Sequence, residues 1–146
     1  PWNIKFLGVK RWQYFNDPEH WRIVLNCYPD LKVNFSHFGG WSEIQKYLNG
    51  EPSWTATIIE FMEKYPNVYT DLSYISSRPE VHKFVLDLIN KKPHLAKRIM
   101  LATDFPLNEL LKKSQKTVDD MISFYIKAGL LQLLGLENAV RFLTYR

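Results

Sequence analysis

Apolar positions along the chain switch between a helical and a strand period, and the switches predict the elements. Trp21, Val24, Leu25 and Tyr28 fall at i, i+3, i+4 and i+7, one helical face. Asp17-Pro18-Glu19 starts that helix with a capping carboxylate, a first-turn proline and a dipole-matched acid. Pro29-Asp30 ends it, and residues 31–35 read as a strand. Ser42 is expected to cap a short helix to about Leu48, closed by Asn49-Gly50. Ser53 caps a longer one with Trp54, Ile58, Phe61, Met62 and Tyr65 on its apolar side. Residues 68–72 are the next strand. Pro79 opens a helix whose stripe is Val81, Phe84, Val85, Leu88 and Ile89, and residues 98–102 are another strand. Residues 107–111 suit one helical turn. Thr117 with Asp120 resembles a capping box for a helix through Val118, Met121, Ile122, Tyr125 and Ile126, ending at Gly129. Residues 130–134 are apolar enough to be buried, and a last helix starts near Leu136. Before all of these, residues 4–9 form a strand or an extended loop.

Tyr28-Pro29-Asp30-Leu31-Lys32-Val33 is echoed by Tyr65-Pro66-Asn67-Val68-Tyr69. Each time a helix ends at Tyr-Pro and a strand begins at once. Strands alternating with helices at this spacing imply βαβ units and a parallel α/β sheet with right-handed crossovers.

The 146 residues suit one domain, 1–146, with no linker-like segment. The net charge of +4 is scattered; its densest cluster is Lys112, Lys113 and Lys116. Without a recognised motif beside it, that charge reads as a solvated surface, and no nucleic-acid partner is expected. Cys27 is alone, so no internal disulfide forms, and its apolar neighbours predict a small buried side chain. No apolar run reaches the ~20 residues of a membrane span, and no signal-peptide pattern is present, so no membrane partner and a cytoplasmic location are expected. The chain opens at Pro1 rather than Met, in what reads as mid-strand, and a fragment or processed product is expected.

Parallel α/β folds carry chemistry at the C-terminal ends of their strands. Two strands deliver an ionisable residue there. His37 follows Phe35-Ser36 and precedes Gly39-Gly40, where glycines allow a sharp turn and close approach to a ligand. Its imidazole either exchanges protons, binds a metal, or merely bonds a loop carbonyl. Asp104 follows apolar Ile99-Met100-Leu101-Ala102 and Thr103; it is either a metal or cation partner or a turn aspartate before Phe105-Pro106. Both are expected to face one site. Asp71 alternates onto the face of Tyr69 and Ser73, where a structural hydrogen bond suits it better than catalysis. His20, His82 and His94 read as surface or packing residues. His-x-His, His-Glu-x-x-His, Cys-x-x-Cys and a phosphate loop are absent, and one His with one Asp cannot complete a zinc site.

Ser36-His37-Phe38-Gly39-Gly40, the stretches 67–73 and 98–106, and Asn138-Ala139-Val140-Arg141-Phe142-Leu143 occur in that order. Together they resemble the C-terminal half of an amidohydrolase-related (amidohydrolase 2) metal-dependent hydrolase. The resemblance covers about residues 20–146. It implies the sixth, seventh and eighth strands of a distorted (β/α)8 TIM-like barrel. It makes His37 a catalytic acid/base or metal contact and Asp104 a metal ligand that takes the proton from attacking water. It implies zinc or a similar divalent ion, and a small-molecule substrate whose C–O or C–N bond is hydrolysed. A non-oxidative decarboxylase on the same scaffold, or a non-catalytic binding domain, are the alternatives. The family's first-strand His-x-His and fifth-strand histidine have no counterpart here, and Ala102-Thr103 stands where Gly-Ser is usual. The 146-residue piece is therefore expected to be inactive alone and to bind zinc weakly. Open sheet edges at 31–35 and 99–102 point to a homo-oligomer or to an element of the N-terminal segment covering one edge.

Overall fold

The computed structural model describes residues 5–6, 9–10, 14–104 and 114–144, with side chains for 14–104 and 118–144. The expected turn at 107–111 and the Lys112, Lys113 and Lys116 cluster lie outside the described residues or side chains.

Of the strand or extended loop expected at 4–9, residues 5, 6 and 9 are described. β1 (Lys5–Phe6) and β2 (Val9–Lys10) pair antiparallel, with Phe6 opposite Val9. Asp17 accepts a hydrogen bond from the Glu19 N–H and starts a 3-10 turn at Pro18–His20 that runs into α1 (Trp21–Cys27). Then follow β3 (Val33–Phe35), α2 (Trp41–Leu48), α3 (Trp54–Lys64), β4 (Val68–Asp71) and α4 (Pro79–Lys91). A 3-10 stretch, Pro93–Arg98, leads to β5 (Ile99–Met100). The chain closes with α5 (Ser114–Lys127), a π-helical turn at Leu133–Glu137, and α6 (Asn138–Leu143).

β3, β4 and β5 form a parallel sheet in that order, with Val33 beside Val68 and Asp71 beside Met100. Parallel neighbours in register share a face, so the sheet has two distinct sides. Val33, Phe35, Val68, Thr70 and Ile99 lie on one, with the hydrophobic core formed chiefly by α3 and α4: Ile58, Phe61, Met62, Val81, Val85 and Leu88 are all buried. Asn34, Tyr69, Asp71 and Met100 lie on the other. All four residues of β4 are buried, the pattern of a central strand covered on both faces. On the second face Phe142 of α6 packs edge-on against Tyr69, at 5.1 Å between ring centres, and Lys32 Nζ donates to the carbonyls of Arg141 and Thr144.

β3 and β5 are the outer strands. The β5 side is met by the C-terminal segment: Leu101 N–H donates to the Leu134 carbonyl, and the buried Asn138 amide donates to the carbonyls of Ala96 and Ile99 at 2.7 Å each.

Four local expectations give way. Cys27 is exposed, because the face of α1 that carries it meets solvent. Of the four-residue stripe on α1, only Leu25 is buried; Tyr28 is 67% exposed, and Ile23 nearby is 74% exposed. Ser42 sits inside α2, whose cap is Gly40, and Thr117 sits inside α5, whose first described turn begins at Ser114. Ser53 does cap α3, accepting from the Ala56 N–H.

Candidate functional site

β3 runs into a backbone turn of unusual hand. His37 (φ 46°), Phe38 (φ 52°), Gly39 (φ 83°) and Gly40 (φ 106°) are four consecutive left-handed residues. Glycine adopts this region freely; His and Phe do so only when their surroundings enforce it. β4 does the enforcing. Thr70 Oγ1 donates to the Phe35 carbonyl and accepts from the Phe38 N–H at 3.2 Å. Asp71 Oδ1 accepts from the His37 N–H at 3.2 Å. Thr55 of α3 donates to the Phe38 carbonyl at 2.7 Å, and the Phe38 ring is fully buried. Gly39 is required on steric grounds as well, since a Cβ there would lie 2.9 Å from the Trp54 Cβ.

Asp71 is the hub of this edge. Its Oδ1 also accepts from the Ser73 N–H at 2.9 Å and from the Ser73 hydroxyl, while Oδ2 accepts from the Asn34 side-chain amide. One buried carboxylate thus ties together the ends of β3 and β4. That fits the hydrogen-bonding role expected for it. Its reach to the His37 backbone was not legible, because it depends on register; the only signal in the sequence is a Thr-Asp pair at a strand end.

His37 itself is half-buried, and its Nδ1 is buried with no hydrogen-bond partner among the described residues; the Asn34 Oδ1 is the other such atom. Buried polar atoms are rarely left unpaired, and an unspent imidazole nitrogen is a position for a proton or an ion. A cavity of about 430 Å³ opens beside His37, walled by Asn16, Pro18, Phe35, Trp54 and Ile58. A larger one, about 630 Å³, lies by Lys32, Asn67 and Arg141 at the opposite end of the strands, away from this edge.

Asp104 comes four residues after β5, also left-handed (φ 51°), and is exposed. A carboxylate in water needs no buried partner, so its position alone leaves both readings, cation partner and turn aspartate, in place. The parallel topology puts His37 and Asp104 beyond the C-terminal ends of β3 and β5, the two strands that flank β4 and lie about 10 Å from each other. His82 is buried on α4; its Nε2 lies 2.9 Å from the Ser76 carbonyl and its Nδ1 3.2 Å from the Tyr125 hydroxyl, so it packs as expected and stands outside the site. His20 and His94 are exposed.

An amidohydrolase family model matches residues 10–144. The chain belongs to the amidohydrolase family. Its three parallel strands with intervening helices are the α/β arrangement of that family's TIM-type barrel, which has eight strands when whole. No curated protein and no solved structure matches this amidohydrolase-family chain. Members of the family generally use divalent metals. An imidazole and a carboxylate suit such an ion, and the orphaned Nδ1 of His37 fits a ligand position. The number of donors falls short, however: among the described residues no three His, Cys, Asp or Glu side chains cluster to hold a metal. Also among them, no helix is long and apolar enough to cross a membrane.

Proposed function

We propose that this chain forms the C-terminal part of the active site of a metal-dependent hydrolase that cleaves a C–O or C–N bond in a small molecule, such as a lactone, ester or amide. The observation that carries the reading is the His37 turn: an imidazole with an unpaired buried nitrogen, in an enforced left-handed backbone, at the C-terminal edge of a parallel sheet in an amidohydrolase-family chain. His37 and Asp104 contribute two donors, and the remaining ligands come from elsewhere in a longer protein. When bound, a divalent ion such as zinc supplies Lewis-acid polarisation and a nucleophile from water at neutral pH. Asp104 orients the attacking water and takes its proton. His37 polarises the substrate or returns a proton to the leaving group.

The experiment uses the full-length protein and a panel of lactones, esters and amides. His37→Ala and Asp104→Ala should each abolish turnover. Turnover retained in either variant removes that residue from the mechanism. The 146-residue chain alone should bind zinc weakly, and stoichiometric tight binding would show that it holds a complete ligand set.

A further inference from the structure

β4 adds a residue of its own to this edge. The loop after it, residues 72–78, is held at both ends. Ser73 is fixed by Asp71 through its N–H and hydroxyl. Ile75 and Ser76 are buried, and the Ser76 carbonyl accepts from the His82 ring at 2.9 Å. Between these anchors Tyr74 alone points outward. It is 52% exposed, its φ is +59°, and its ring centre lies 6.3 Å from that of His37. A bulky residue in the left-handed region is rare and is strained unless its surroundings hold it there. Burial alone does not explain the choice, because about half of the residue meets solvent. The carboxylate oxygen that holds Ser73 also holds the His37 N–H, so one atom ties the backbone of His37 to that of the residue before Tyr74.

We infer that Tyr74 is a further residue of the His37 site that touches the substrate, its phenol hydroxyl donating a hydrogen bond to a carbonyl or carboxylate oxygen of the bound molecule. This rests on the hydrolase reading for what the substrate is, and on the loop geometry alone for where it binds. A phenol hydroxyl is a neutral donor, so it suits an oxygen that is electron-rich before and after cleavage.

The experiment has two arms. In the full-length enzyme, Tyr74→Phe keeps the ring and should lower kcat/KM about tenfold, the worth of one hydrogen bond in a site. Tyr74→Gly should lower it at least as much while leaving thermal stability equal or higher, since glycine relieves the backbone. A merely structural tyrosine would lose stability on becoming glycine and lose nothing on becoming phenylalanine. Wild-type kcat/KM in Tyr74→Phe would overturn the inference. The second arm needs no turnover. Acetate, a simple carboxylate, is titrated into the full-length protein while the His37 and Tyr74 ring resonances are followed by NMR. Both should move on one isotherm, and Tyr74→Phe should weaken the affinity read at His37 about tenfold. An unchanged isotherm in that variant, movement of His37 alone, or movement of neither ring would each overturn it. Coupled ring shifts in a full-length protein without turnover would instead refute the hydrolase reading and leave Tyr74 in place.

Discussion

Removing the Asp71 carboxylate should loosen the whole C-terminal edge of the sheet. In Asp71→Ala four donors lose their acceptor: the His37 N–H, the Ser73 N–H and hydroxyl, and the Asn34 amide. Hydrogen bonds to a charged group contribute about 1.5–3 kcal/mol each. Part of this comes back, because a buried carboxylate no longer has to be desolvated and because Asn34 and Ser73 are only half-buried and can reach water. The net loss should be about 3 kcal/mol. A chain of 146 residues unfolds with an entropy of about 0.3 kcal/mol per kelvin, so the midpoint should fall by about 10 °C. Asp71→Asn should recover much of that. The Asn34 Oδ1 is unpaired in the wild type and can swing round to accept from the new amide. Thermal melts by circular dichroism measure all three proteins, and a double-mutant cycle with Asn34→Ala isolates the Asn34–Asp71 pair. A drop of less than about 1 kcal/mol in Asp71→Ala, or equal loss in Asp71→Ala and Asp71→Asn, would refute the hub.

Two other perturbations follow from buried polar groups. Burial holds His82 below its ordinary value of 6.5, with the Ser76 carbonyl pulling the other way, so the unfolded chain takes up a proton that the folded one resists. Stability should therefore fall as pH drops through 6.5 toward the lower folded value, and urea titrations between pH 7.5 and 5 should lose this slope in His82→Gln; a slope that survives there belongs to another group. Asn138→Ala should cost about 2–3 kcal/mol by leaving the Ala96 and Ile99 carbonyls unpaired, and Asn138→Asp should cost more, because it faces them with a second acceptor; thermal melts that rank Asp above Ala would contradict the assigned amide orientation.

The order of elements was legible because it rests on local signals. Pro66-Asn67 and Pro79 stop and start elements where their chemistry dictates, and the three strands predicted at 31–35, 68–72 and 98–102 appear as Val33–Phe35, Val68–Asp71 and Ile99–Met100. His37 and Asp104 could be singled out because strand-end position is visible in one dimension. What periodicity could not give is what lies opposite each face. The stripe of α1 has the spacing of a buried helix, yet Tyr28 and Val24 meet solvent among the described residues. Cys27 departs from expectation for the same reason: its apolar neighbours in sequence are not its neighbours in space. Asp71 reaches His37 only through the register that sets Phe35 beside Thr70, a contact 35 residues apart in sequence.

Backbone strain supplies a criterion that the sequence hides. Glycine takes the left-handed conformation at Gly39 and Gly40 beside His37, and at Gly50 and Gly129 where helices end. At the C-terminal edge of the sheet the same conformation falls on His37, Phe38, Tyr74 and Asp104, and these are all the non-glycine cases among the described residues. A non-glycine residue there costs about 1–2 kcal/mol that glycine would avoid. For Phe38 the compensation is visible: its ring is fully buried, 5.3 Å from the centre of the Phe84 ring. For Tyr74 and Asp104, both exposed, packing returns little, and for half-buried His37 it leaves a ring nitrogen unpaired. Glycine would relieve the backbone at those three positions, against its own larger loss of chain entropy on folding. That they carry an imidazole, a phenol and a carboxylate, one beyond each of three adjacent parallel strands, is the placement the proposed site would account for.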